Sequence, residues 1–268
     1  MSEKETIIGI AGGMGPGAGA NLFNSIVANT AAGCDQQHLS VVLMSFPKHI
    51  ADRTAFLEGK TNINPAYAVA GIVRKLEAAG AGVIGLACNT VHAPAIYDVI
   101  LAELAKHDST SRLLHMPAET CKYINEQHTG AQRVGLMTTN GTYRSGIYQS
   151  LLEQWGYQIV LPPQELQHSV IHRMIYDPVF GIKSTPGIIT GEVNALLSKA
   201  LAFFKRSKAD VVILGCTELS LILRQRVIKG FPVVDSTEVL AKALIREASK
   251  KNQSENILHL PYPVAAVL

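Results

Sequence analysis

Short runs of β-branched and aliphatic residues alternate with longer stretches whose apolar positions recur every three to four residues, from one end of the chain to the other. The runs predict strands at residues 6–11, 39–45, 83–87, 133–137, 158–161, 211–214 and 231–234. The longer stretches predict helices at 18–29, 65–79, 93–105, 117–127, 144–155, 164–176, 187–205 and 237–249. Strand followed by helix, repeated, is the pattern of a parallel sheet covered on both faces.

The pattern also repeats on a larger scale. Ile8-Gly9-Ile10, a Gly-rich turn and a helix are matched by Val134-Gly135-Leu136, the turn Thr138-Thr139-Asn140-Gly141 and a helix. Farther along, Val83-Ile84-Gly85-Leu86-Ala87-Cys88-Asn89-Thr90 is matched by Val211-Val212-Ile213-Leu214-Gly215-Cys216-Thr217-Glu218 at nearly the same offset. The expected fold is therefore α/β: two pseudo-symmetric, Rossmann-like lobes with parallel sheets and a cleft between them. The first lobe is expected to comprise residues 1–114 plus 232–268, closed by the C-terminal helix, and the second 115–231. The polar stretch 250–256 reads as a linker, and the Pro-containing apolar stretch 257–268 as a segment packing on a groove or a partner subunit.

Composition narrows the classes. Of 268 residues 47% are apolar, with only 7 Phe, 8 Tyr and 1 Trp, so the core is mostly aliphatic, which suits helices on a parallel sheet and disfavours a β-sandwich. A net charge of +3 is far short of a polyanion-binding surface and argues against nucleic acid. No run approaches the roughly 20 apolar residues that span a bilayer, and the first apolar run breaks at Gly12 before it forms a signal-peptide core. Cys34, Cys88, Cys121 and Cys216 stand far apart without metal-ligand spacing, so neither a metal site nor a disulfide framework is expected, and a reducing cytoplasm is.

Gly12-Gly13-Met14-Gly15-Pro16-Gly17 follows the first strand and opens a helix, where backbone amides can cradle an anion. It loosely fits a dinucleotide fingerprint, but the second strand ends Met44-Ser45-Phe46-Pro47 without the acid that would hold a ribose. A carboxylate-binding turn is the better expectation, and no nicotinamide or flavin is expected.

Cys88 and Cys216 each end an apolar run and precede small hydroxyl or amide residues able to start a helix. The carboxyl ends of strands line the crevice of an open α/β sheet, and a helix N-terminus there favours thiolate. Either cysteine alone would read as a small buried hydrophobe; the same motif position in two lobes sets two thiols on opposite walls of one cleft. Cys34 and Cys121 are expected to be structural.

Together Gly12-Gly13-Met14-Gly15-Pro16, Asp52-Arg53-Thr54, Cys88-Asn89-Thr90-Val91-His92, Gly181-Ile182-Lys183, Gly215-Cys216-Thr217-Glu218 and Asp235-Ser236-Thr237 resemble the cofactor-independent aspartate/glutamate racemases. The chain is more similar to the aspartate racemase branch, since it lacks the opening Asp-Ser-Gly of the glutamate racemases that feed cell-wall synthesis. It departs from the family by carrying Lys48-His49-Ile50-Ala51 before Asp52, which leaves the choice between aspartate, glutamate and another acid open. The resemblance implies an isomerase without pyridoxal phosphate or other cofactor, a homodimer, and a small acidic amino acid as substrate. It implies Cys88 and Cys216 as the acid/base pair, Arg53 and Lys183 as carboxylate holders, and Met14, Asn89, Thr90, Thr139, Thr217 and Glu218 as the remaining substrate contacts. Glu218 reads equally as a partner of the substrate ammonium or as a helix-start acid. Arg53 falls in a polar loop, Lys183 in a segment between two helices that suits a mobile lid, and His92 at a helix start where it packs locally.

The chemistry fits that reading. Racemisation removes the α-proton from one face and returns a proton to the other, which one thiolate and one opposed thiol can do in either direction. A decarboxylase or cis-trans isomerase of the same superfamily is the alternative, as is a silent amino-acid-binding protein, though retention of both cysteines speaks against the latter.

Overall fold

A computed structural model describes residues 6–223 and 225–250. The first half runs β1 (Ile7–Gly12), α1 (Pro16–Asn29), β2 (Val41–Ser45), α2 (Arg53–Leu57), α3 (Ala66–Ala78), β3 (Ala81–Leu86), α4 (Pro94–Ala105) and β4 (Arg112–Leu114). Its strands form a parallel sheet in the order β2-β1-β3-β4. The second half begins with α5 (Met116–Gln127), β5 (Arg133–Thr138), α6 (Asn140–Ser145), α7 (Ile147–Gln154) and β6 (Gln158–Val160). A single helical rod follows: α8 (Gln164–Leu166), a π-helical turn (Gln167–His172) and α9 (Arg173–Tyr176). Then come α10 (Gly191–Arg206), β7 (Val211–Gly215), α11 (Thr217–Ile222), β8 (Val227–Ile228), β9 (Phe231–Asp235) and α12 (Ser236–Ala248).

The second sheet has the order β6-β5-β7-β9-β8, parallel except for the edge pair β8 and β9. In each half the first strand lies between the second and third, and a further parallel strand, β4 or β9, lies outside the third. The two halves thus wind alike, as the internal repeat requires, and make a two-lobed Rossmann-like α/β fold.

Several boundaries differ from expectation for local reasons. The expected lobe boundary cuts β9, yet all of β9 belongs to the second sheet. The chain returns to the first lobe only with α12, whose Leu240 and Leu244 share a core with Ile8, Ile10 and Val83. The helix expected at 144–155 starts at Asn140, because Thr139 caps it by accepting from the Thr142 amide, and it breaks at Gly146, whose φ of 69° is left-handed. The helix expected from 187 starts at Gly191 because Thr190 caps it, accepting from the Val193 amide at 3.2 Å. The expectations for residues 251–268 lie outside the described residues.

Buried polar side chains join the lobes. Thr90 of the first lobe bonds Thr139 at 3.1 Å and Thr142 at 2.9 Å, both from the second. Tyr148 donates to Asn89 Oδ1 at 2.6 Å, Asn89 Nδ2 donates to Ser236 Oγ at 3.0 Å, and Ser236 donates to the Leu214 carbonyl at 2.8 Å. At Gly141 the lobes approach so closely that a Cβ would lie 2.7 Å from Thr54 Oγ1 and 2.8 Å from Thr90 Cγ2.

Gly141→Ala should therefore force the seam apart and cost about 1–3 kcal/mol. In contrast Gly71→Ala, in mid-α3 where a Cβ meets nothing within 4 Å, should gain about 0.5–1 kcal/mol of helix stability. Urea midpoints of the two variants check this, and equal shifts would contradict a tight seam.

Candidate active site

The two cysteines stand at equivalent places. Cys88 follows β3 and leads into the 3-10 turn Thr90–His92, while Cys216 follows β7 and is the N-cap of α11. Each is only 4% exposed, and both line one small cavity between the lobes. Met14, Arg53, Asn89, Thr90, Thr139, Lys183, Thr217 and Glu218 line it too, so every residue assigned to the site from sequence is brought there. Cys34 is exposed and Cys121 is buried within α5; neither reaches the cavity.

Arg53 is not in a loop but opens α2, where the Asp52 carboxylate caps the helix by accepting from the Ala55 amide at 2.7 Å. Its side chain is buried; Nη2 donates to the Met14 carbonyl at 2.9 Å and Nη1 to the Ala51 carbonyl at 3.3 Å. Nε has no hydrogen-bond partner among the described residues. Burial works against the guanidinium charge, but the neighbouring Cys88, Tyr176 and Asp52 outweigh it and hold its pKa above the usual value.

Lys183 lies beyond α9 in a segment bonded back onto that helix rather than a loose lid. The Lys183 amide donates to the Ile175 carbonyl at 3.1 Å, Ile182 is fully buried, and a Cβ on Gly181 would lie 2.5 Å from the Asp177 backbone. Its ammonium donates to Glu218 Oε1 at 2.5 Å and sits 5.2 Å above the Tyr176 ring. Burial opposes the charge, yet Glu218 and Cys216 hold the Lys183 pKa above its ordinary value.

Glu218 is the most contacted carboxylate of the site. Besides Lys183, Oε1 accepts from the Gly15 amide at 3.3 Å, and Oε2 accepts from Cys216 Sγ at 3.1 Å and Thr217 Oγ1 at 3.3 Å. The Gly-rich turn thus does hold a carboxylate, supplied by the protein itself. Despite burial, which favours the neutral acid, Lys183 and the Cys216 hydrogen bond keep the Glu218 pKa below the usual range. The Cys216 thiol is pushed well above its ordinary value, first by burial and then by the Glu218 charge.

Tyr176 lines the cavity and was missed from sequence. Its hydroxyl donates to Asp52 Oδ2 at 3.0 Å, linking the rod to the start of α2. The available signal was the spacing His168, His172, Tyr176, one helical face, on which the rings stack with centroids 5.8 and 4.5 Å apart. His92 packs locally, as expected: it is buried against His115 and Tyr97, 4.7 and 5.1 Å away between ring centroids, and does not line the cavity.

Two similar α/β lobes set a cysteine at the same strand end on either side of one small cavity, with buried Arg53 and partly buried Lys183 beside them. The chain belongs to the Asp/Glu/Hydantoin racemase family, whose model matches residues 11–244. It is similar to the aspartate racemase structure from Picrophilus torridus at 29% identity and a TM-score of 0.71, covering 91% of this chain and 94% of that one. It is 25% identical to the broad-specificity amino-acid racemase RacX of Bacillus subtilis over 245 residues, 89% of this chain and 96% of that protein. To the glutamate racemase of Aquifex aeolicus it is 30% identical over 132 residues, 48% of this chain and 46% of that one. The protein is accordingly an isomerase of racemase type. No helix among the described residues is long and apolar enough to cross a membrane.

The buried histidines predict acid sensitivity. Burial lowers the His92 pKa, and lowers those of His115 and His172 to about 4, so the unfolded chain binds more protons than the folded one between about 4 and the unfolded value of 6.5. Stability contributed by these groups is complete above pH 6.5 and lost as pH falls towards 4, by up to about 1.4 kcal/mol per pH unit for each of buried His92 and His115 and by less for half-buried His172, where solvent screens the effect. Urea titrations at pH 7 and pH 5 should show the loss, and equal stability at the two would contradict neutral buried histidines.

Proposed function

We propose that the protein interconverts L- and D-aspartate, with glutamate as the next candidate, by proton transfer between Cys88 and Cys216 through the substrate Cα. The observation that carries the reading is the placement of both thiols on one cavity with Arg53 and Lys183. Two cations in one small site favour a substrate with two carboxylates over a monocarboxylate.

In this reading Arg53 takes one carboxylate, using the buried Nε that no protein group occupies among the described residues, and Lys183 the other. Cys88 lies against the Arg53 guanidinium, a cation partner for its anion, and removes the α-proton from its face. Cys216, already donating to Glu218, delivers a proton to the opposite face, and the next turnover in reverse exchanges the roles. Amides at the two strand ends and the nearby cations offset the negative charge that develops on the α-carboxylate. Tyr176 holds Asp52, which caps α2, and so fixes where Arg53 starts. The homodimer and the cytoplasmic setting belong to the same proposal; the first rests on the resemblance of the motifs, the second on four free thiols.

Single variants test the reading. Cys88→Ala should abolish racemisation yet leave deuterium exchange from one enantiomer of aspartate, since Cys216 still touches one face; Cys216→Ala should exchange only the opposite enantiomer. Proton NMR of the α-position in heavy water, after circular dichroism shows both variants folded, reads the outcome. If both variants prefer the same enantiomer, or either racemises at the wild-type rate, the thiols are not opposed bases.

A further inference from the structure

The cluster Lys183, Glu218 and Cys216 does something that carboxylate recognition alone does not require. Glu218 turns one oxygen to the lysine at 2.5 Å and the Gly15 amide, and the other to the Cys216 thiol at 3.1 Å. A carboxylate accepts and never donates while ionised, so the hydrogen in the sulfur contact must lie on Cys216. Lys183, with Arg53 farther off and the Cys216 hydrogen bond, favours the ionised, accepting form of this carboxylate. Among the described residues no carboxylate accepts from Cys88; the side chain set against it is the Arg53 guanidinium.

We propose that Glu218, held by Lys183, is a positioning residue that keeps Cys216 in its thiol form, so that the substrate-free site is loaded in one sense, with Cys216 as the acid. This rests on the two-thiol reading above and deepens it, because it assigns a starting direction to the pair. Substrate entry then has a defined electrostatic consequence. A substrate carboxylate that takes Lys183 away from Glu218 removes the cation that kept Glu218 a weak acceptor of protons. When Cys216 gives its proton to Cα, the S–H bond breaks, the carbanion pair on Cα forms the C–H bond, and the S–H electron pair stays on sulfur as a thiolate. The groups facing Cys216 are Glu218 on its own helix, Lys183 and Tyr176 from the rod and its following segment, and Arg53 and Cys88 across the cavity. Glu218 and Lys183 act on the sulfur with opposite sign, which makes the proposal separable from a change of packing.

The experiment is alkylation of the full-length, substrate-free protein with iodoacetamide across a pH series, each cysteine followed by peptide mass spectrometry. Reading the pH midpoint rather than the rate removes the effect of access to the cavity. In the wild type the Cys216 midpoint should lie above that of exposed Cys34, which serves as the reference thiol. Glu218→Gln should bring the Cys216 midpoint down by at least about one pH unit, about tenfold more reactive thiolate below the midpoint. Lys183→Met should move it up instead, and Cys34 should not respond to either change. Midpoints that stay put, or move the same way in both variants, would overturn the proposal. Should Glu218→Gln fail to fold by circular dichroism, a wild-type Cys216 midpoint at or below that of Cys34 overturns it alone. Because the readout needs no turnover, a wild-type protein that washes out no α-proton would sink the racemase reading and leave this result to stand or fall on its own.

Discussion

Everything in the site depends on how two separately folded sheets are held in register across a polar seam. Thr90 binds Thr139 and Thr142, and Asn89 is gripped by Tyr148 and Ser236. Asn89 and Thr90 directly follow Cys88, so the bonds that join the lobes also fix the turn that carries one sulfur. Ser236 in turn donates to the carbonyl of Leu214, two residues before the other sulfur. Loss of any partner would strand a buried polar group, which costs about 1–3 kcal/mol, so the seam has few alternative arrangements. A rigid seam is what opposed acid/base chemistry needs, because proton transfer is sensitive to ångström-scale displacement of either sulfur.

Charge in the cavity is arranged so that each ion is balanced before any substrate arrives. Lys183 has Glu218; Arg53 has two backbone carbonyls and lies against Cys88; Asp52 has the α2 amide and the Tyr176 hydroxyl. Balance of this kind lowers the cost of burying charge between two hydrophobic cores. In the proposed reaction an incoming dicarboxylate would compete with Glu218 for Lys183 and for the Gly15 amide, making recognition an exchange of partners.

Much of this was legible in the sequence because the repeat encoded it. Two apolar runs ending in Cys-Asn-Thr and Cys-Thr-Glu, at one offset within two similar halves, located both sulfurs and both strand ends. The Gly-rich turn was legible as a carboxylate seat, though not that Glu218, more than two hundred residues away, would fill it. What failed to show was short or tertiary. α2 and α11 have too few residues to display a helical period, and β4, with exposed Arg112 among its three residues, has no strand pattern. Tyr176 enters the site only because the rod crosses from its own lobe to Asp52 of the other, a contact that no local pattern records. The lobe boundary was misplaced for a similar reason: β9 is chosen by pairing with β7, whereas the helix after it is chosen by packing on the first lobe.

Two opposed thiols impose a distinct isotopic pattern on the wild-type protein. L-aspartate incubated in heavy water and analysed before equilibrium should yield D-aspartate carrying deuterium at Cα, because the proton it receives comes from a thiol equilibrated with solvent. The L-aspartate still present should retain its original protium. D-aspartate that carries the protium of its L precursor would mean that one group takes and returns the same proton, and would contradict a site in which Cys88 and Cys216 serve opposite faces.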